Sequence, residues 1–265
     1  MDTRPQTERI VVALDASPRS LTALRATAQL AAQLQAELQA LFVEDADLLR
    51  LCDLPFCQEV SLYATTTRRL DGRVVERQWR ARAQSLQAET ARVAEAMQVP
   101  WSFRVTRGSL AEELLAAAAD AHFLSLGFEQ ALGTPVISAA ESVARRTSRP
   151  MLVLGQSGRF ELPLALLFTG SERSERALQL ALRLAQRMRQ GLTIYFQAGD
   201  QPDAVTMARL TQALHGTGIE ATLVRITDLI RLPGIIRQTR TGTLILPADE
   251  IELLPKLVGP VLVVP

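Results

Sequence analysis

The sequence has little of what most enzyme chemistry needs. It holds two histidines, two cysteines and a single lysine, Lys256, in 265 residues. Cys52 and Cys57 make neither a disulfide framework nor a zinc site, which takes about four ligands. His122 and His215 have no neighbouring serine or cysteine in a nucleophile pattern, and His215 precedes Gly216, where a histidine suits the end of a helix. Aromatic residues make up 5%, too few for a base-stacking platform. No apolar run approaches the ~18–20 residues that span a bilayer. The longest, 110–126, is broken by Glu112, Glu113, Asp120 and His122. Residues 1–8 lack an apolar signal core. These absences argue against catalysis, nucleic-acid binding, membrane insertion, secretion and a metal centre. They lead us to expect a cytoplasmic protein.

What the chain does have is core. Hydrophobic residues reach 48%, charged residues 22%, and the net charge is +1. The length suits two domains at roughly 100–200 residues each. Of the 29 basic residues all but Lys256 are arginine, a composition that reads as coding bias. Arg69, Arg73, Arg77 and Arg80 share one face of an expected helix, but Asp71, Glu76 and Glu89 dilute that charge and predict a solvated face.

The chain repeats itself. Residues 10–43 align without a gap onto 164–197 at an offset of 154, with Ser17 matching Ser171, Arg19 Arg173, Ser20 Ser174, Leu24 Leu178, Leu30 Leu184 and Phe42 Phe196. A second anchor, Arg149-Pro150 with 151–154, matches Gly259-Pro260 with 261–264, so the second copy is the shorter by 44 residues. The copies are expected at 8–156 and 163–265, divided where Gly158 and Pro163 punctuate the chain.

Each copy alternates strand and helix. Short continuous apolar runs such as 9–14 predict buried strands at 9–14, 38–43, 123–126 and 151–154, and 101–107, alternating in places, reads as a further strand. Their counterparts are 164–169, 192–197, 220–226, 243–246 and 261–264. Ser17 and Pro18 suit the start of the first helix. Val75, Trp79, Leu86, Val93 and Met97 mark a long second helix, and Ser109 with Glu112 reads as a capping box opening a third. A fourth lies near 139–147. Helices of the second copy are expected near 174–190, 202–215 and 228–239, with the last reduced to one turn near Leu253. Such alternation implies an α/β fold with a parallel sheet covered on both faces.

Three segments resemble the universal stress protein family. Val11-Val12-Ala13-Leu14-Asp15-Ala16-Ser17 is similar to its opening strand, Asp and helix start. Arg107-Gly108-Ser109-Leu110-Ala111-Glu112-Glu113-Leu114 resembles its Gly-x-x-x-x-Glu-Ile/Leu segment, and Arg149-Pro150 its lead into the last strand. The resemblance implies two tandem copies of a five-stranded, adenine-nucleotide-alpha-hydrolase-like domain forming a pseudo-dimer, with the two last strands adjacent and antiparallel. ATP-binding members use the Asp and a loop of the form Gly-x-x-Gly, nine residues, then Gly-Ser/Thr, in which backbone N–H groups approach phosphates.

This chain keeps little of that loop. Asp15 and Gly127 match, but Gln130 stands at the second glycine and Ile137-Ser138 at the final pair. In the second copy Thr169 replaces the Asp, and Pro247, which has no N–H to donate, replaces the first glycine before the acidic Asp249 and Glu250. The resemblance thus leaves Asp15, Ala16, Gly127 and Ser138 as the candidate nucleotide site, in the first copy alone. No cofactor is expected, and ATP is left as a weak ligand there.

The first copy also carries an insertion at about 45–70, which leaves the ligand-binding edge of such a sheet and is rich in Leu48, Leu49, Leu51, Leu54, Phe56, Val60, Leu62 and Tyr63. Three roles fit it: a cap over the first cleft, a surface for a protein partner or a second copy of the chain, or packing on the second half. The leading functional reading is a non-catalytic stress-response binding or regulatory protein. The alternatives are an ATP-binding switch using the N-terminal half, and a small-molecule enzyme of the wider nucleotide-binding α/β group.

Overall fold

The computed structural model describes residues 8–15, 18–52, 54, 58–60, 67–69, 71–127, 135–154, 159–197, 203–239 and 241–265. The first half runs β1 (Arg9–Leu14), α1 (Pro18–Leu34), β2 (Glu37–Asp45), α2 (Ala46–Cys52), β3 (Gln58–Val60), β4 (Thr67–Arg69), α3 (Gly72–Ala96) and β5 (Trp101–Gly108). It continues with α4 (Leu110–Ala118), β6 (Phe123–Gly127), α5 (Pro135–Arg146) and β7 (Met151–Leu154). The second half runs β8 (Leu164–Phe168), α6 (Glu172–Met188), β9 (Leu192–Phe196), α7 (Asp203–Leu214) and β10 (Ala221–Arg225). It ends with α8 (Leu232–Gln238), β11 (Leu244–Pro247) and β12 (Val261–Val264).

Ten strands form one sheet, in the order β10-β9-β8-β11-β12-β7-β6-β1-β2-β5. Each half contributes five parallel strands whose first strand lies at the centre, and one antiparallel junction joins the halves, Val261 opposite Val153, Leu262 opposite Leu152 and Val263 opposite Met151. The expected pseudo-dimer is therefore present. Both final strands are fully buried, because each closes what would otherwise be an open sheet edge. Helices cover both faces: one core layer gathers α1, α3 and α6 under the sheet, the other gathers α4, the end of α5 and the segment after β11. Trp79 lies in the first layer, as its place on the apolar stripe predicts.

Four local expectations need correction. The capping box at Ser109 is half formed: its hydroxyl accepts from the Glu112 N–H at 3.3 Å, but the Glu112 carboxylate pairs with Arg146 at 2.7 Å. The helix expected over 228–239 divides into a 3-10 turn (Leu229–Arg231), capped by Asp228, and α8. The single turn expected near Leu253 is one of two short 3-10 turns within Ala248–Lys256, which meet at a kink where Glu250 is not helical. The insertion holds α2 and a separate hairpin of β3 and β4, and α2 packs on α3 and β5 of its own half rather than on the second. Leu48 and Leu49 join the core, whereas Leu51 and Leu54 remain exposed. The N-cap expected at Ser17 lies outside the described residues.

Candidate functional site

In each half the chain leaves the central strand in one direction and later returns on its other side, between β1 and β6 in the first half and β8 and β11 in the second. Loops then diverge at the carboxyl ends of these strand pairs and open a crevice, the place where open α/β sheets hold ligands.

The first crevice is a cavity of about 530 Å3. Ala13, Leu14 and Leu126 form its floor, and Leu110, Ala111 and Val43 add apolar wall. Asp15 stands at the end of β1, exposed, and Gly127 at the end of β6. These two sequence candidates, distant in the chain, meet in one cavity because β1 and β6 are neighbours in register, Ala13 opposite Leu126. Ala16 lies outside the described residues, as does the loop that carries Gln130 and Gly133. Ser138 falls within α5, and its side chain lies outside the described set; Ser142, one turn further on, lines the cavity.

Sequence reasoning missed two carboxylates here. Asp45 ends β2 and caps α2, its Oδ1 accepting from the Asp47 N–H at 2.9 Å and the Leu48 N–H at 3.4 Å. Asp47 lines the cavity and pairs with Arg50 at 2.8 Å. The insertion thus begins as a short helix at the crevice mouth, and the signal for it was Asp45 placed two residues before an apolar helical pattern. Among the described residues, three carboxylates and no lysine or arginine line the cavity. The adjoining loop, 128–134, contributes a glutamate and no basic residue to the sequence.

The second crevice is occupied from within. Ser171 caps α6 by accepting from the Ser174 N–H at 3.1 Å, and its hydroxyl donates to Asp249 at 2.7 Å. Arg173 donates to the other oxygen of Asp249 at 2.6 Å. Thr169, in place of Asp15, lies 3.4 Å from the Ser171 hydroxyl. A carboxylate therefore sits where the amino end of a helix would otherwise receive an anion. Pro247 ends β11 opposite Val264, and the chain turns straight into the 3-10 segment with no phosphate loop. Glu250 is half-buried beside Asp249 and Glu252; partial burial first, then those two charges, pushes its carboxyl up.

Neither histidine serves a crevice. His122 precedes β6, at the opposite end of the sheet from Gly127, and its Nδ1 accepts from the Arg9 N–H at 3.1 Å. His215 closes α7 ahead of Gly216, whose φ of 75° needs a glycine. Cys52 is buried, with its thiol against the Leu48 carbonyl at 3.2 Å. Among the described residues no group of three metal-ligating side chains gathers, and no helix is long and apolar enough to cross a membrane.

No protein-family model matches the chain, and no curated protein does. Solved structures do. A universal stress protein from Archaeoglobus fulgidus superposes with a TM-score of 0.75 at 15% identity, over 98% of this chain and 98% of that one. A candidate universal stress protein from Pseudomonas aeruginosa gives 0.57 at 15%, covering 98% and 93%. The cytoplasmic domain of a prokaryotic cation chloride cotransporter gives 0.55 at 11%, covering 97% and 95%. At these identities the likeness is one of fold, and it extends over the full tandem arrangement.

Proposed function

We propose that this chain is a non-catalytic binding protein of the universal stress type, made of units at 8–156 and 163–265, in which the first of the two equivalent crevices, and not the second, takes a ligand. One observation carries the reading: the first crevice is an open cavity containing Asp15 and Gly127, whereas Asp249 fills the equivalent place in the second. The cavity chemistry narrows the ligand. An apolar floor suits a flat or aliphatic body, and carboxylates beside it accept hydrogen bonds from hydroxyl or amino groups. Three carboxylates without a lining cation disfavour a triphosphate, because like charges repel most where water is partly excluded. A nucleoside-like ligand fits better than ATP, which agrees with the lost loop glycines. Among the described lining residues there is neither histidine nor cysteine to act as base or nucleophile, which is in keeping with binding without turnover.

Thermal-shift titration of the full chain with adenosine and with ATP plus magnesium tests the reading. Adenosine should raise the melting temperature at least as much as ATP does. A large ATP shift that disappears in Asp15→Ala would restore the ATP-switch alternative. The insertion supplies a second, coarser proposal: exposed Leu51 and Leu54 beside the crevice mouth form the contact for a second copy of the chain.

A further inference from the structure

A larger cavity, about 700 Å3, opens at the seam between the halves, at the amino end of β6 and the carboxyl end of β12. Its floor is apolar: Leu34, Phe123, Leu180, Leu184 and Val264. One wall is the face of α6 that carries Arg173, Arg176, Arg183 and Arg187, and the opposite side carries Arg149. Steps of three, seven and four residues keep the four arginines of α6 on one side of the helix.

The fold does not require this stripe. At the repeat offset of 154, Arg176, Arg183 and Arg187 correspond to Thr22, Gln29 and Gln33 on α1, all uncharged. The same helix in the same fold manages without them.

Their partners divide the five. Arg173 pairs with Asp249 at 2.6 Å. Arg176 pairs with Glu172 at 2.7 Å and donates to a main-chain oxygen of Pro265 at 3.0 Å. Arg187 pairs with Glu8 at 3.2 Å and donates to the Leu34 carbonyl. Arg149 donates to the Ala118 and Ala119 carbonyls at 3.3 and 3.4 Å, which are neutral groups, and has no carboxylate partner among the described residues. Arg183 is exposed and has neither kind of partner among them. Glu8, the described carboxylate side chain that lines the groove, is already engaged by Arg187. Two guanidinium groups, those of Arg149 and Arg183, therefore face one concave, half-apolar groove with no carboxylate partner of their own among the described residues.

We infer that the groove binds a phosphorylated small molecule bearing at least two negative charges, with Arg149 and Arg183 on the phosphate and the apolar floor beneath the rest. Guanidinium groups match phosphate oxygens with parallel N–H donors, and none of the Arg183 donors is engaged among the described residues. The volume lies within the roughly 300–1,000 Å3 of ordinary small-molecule sites. The site is independent of the first crevice, which lies at the other end of β6 and is lined by carboxylates.

Isothermal titration calorimetry of the full chain with inorganic tripolyphosphate, at low salt, is the test. The native chain should bind, and binding should weaken as salt is added. Arg183→Gln should weaken it about tenfold while leaving the melting temperature unchanged, since the exposed side chain holds no hydrogen bond or ion pair among the described residues. Arg149→Gln should weaken it similarly; because Arg149 also holds the end of α4, its result counts when the melting temperature is preserved, and Arg183→Gln decides otherwise. Asp15→Ala should bind as the native chain does. No binding by the native chain, or equal binding by Arg183→Gln, overturns the inference and leaves the proposed nucleoside site standing. Loss of tripolyphosphate binding in Asp15→Ala would overturn it too, and would count separately against an anion-excluding crevice.

Discussion

Glu250 and Asp249 are neighbours that meet opposite fates. Asp249 is exposed enough to reach Arg173 and Ser171 and stays paired. Glu250 is half-buried, and that burial, followed by the charges of Asp249 and Glu252, raises its affinity for a proton. A folded pKa above the unfolded value means the folded chain binds that proton more tightly, so the ionised form carries a stability cost. The cost is absent below the unfolded pKa and complete above the folded one. Glu250→Gln should therefore raise the melting temperature near pH 7, by up to about 2 °C, and leave it unchanged near pH 3. Circular-dichroism melts at both values check this, and a variant less stable near pH 7 than the native chain would contradict it. The acidic character of this segment was legible in the sequence, and repulsion of phosphate was the natural reading. That Asp249 instead takes the place of an anion on α6 was not legible, because its partners Ser171 and Arg173 lie 78 and 76 residues away.

At the scale of elements, β7 and β12 decide the architecture. All four residues of each are buried, and each has β11 or β6 on one side and the other half on the second. A fragment ending at residue 157 would expose β7 as an unpaired apolar edge, which invites self-pairing. It should dimerise through β7 or aggregate, as size-exclusion chromatography with solution scattering would show; a stable, soluble monomer would contradict the seam's role. These strands were legible to the residue, since four consecutive apolar positions between Pro150 or Pro260 and a break in pattern leave little choice. The hairpin β3 and β4 was not, because three-residue strands such as Gln58–Val60 are too short to show a period. Glu112 was misread for another reason. Its sequence neighbour Ser109 suggested a capping box, but Arg146, 34 residues on, offered a charged partner, and a carboxylate gains more from a guanidinium than from a second backbone N–H.

As a whole molecule the protein is one sheet whose halves share a plan and have drifted apart in what they do with it. The first half packs Thr27 of α1 on Ser125 of β6, hydroxyl to hydroxyl at 2.7 Å, with Thr27 also donating to the Ala23 carbonyl. The second half has Ala181 and Ile245 in those places, both buried. The same divergence runs through the crevices, with one left open beside Asp15 and its counterpart closed on Asp249. It also runs through the paired helices α1 and α6, where Thr22, Gln29 and Gln33 of one stand at the places of Arg176, Arg183 and Arg187 of the other. The repeat made the sheet legible from sequence, and Pro247 made legible the direct turn that follows β11 in the second half. The two cavities were legible only in part, because Asp45, Asp47 and the arginine groove come together through packing between elements, not through spacing along the chain. The most direct test of the central claim is a calorimetric titration with adenosine of the native chain, Asp15→Ala and Thr169→Ala. A site confined to the first crevice predicts binding that Asp15→Ala weakens about tenfold or more and Thr169→Ala leaves unchanged; equal losses in the two variants would contradict it.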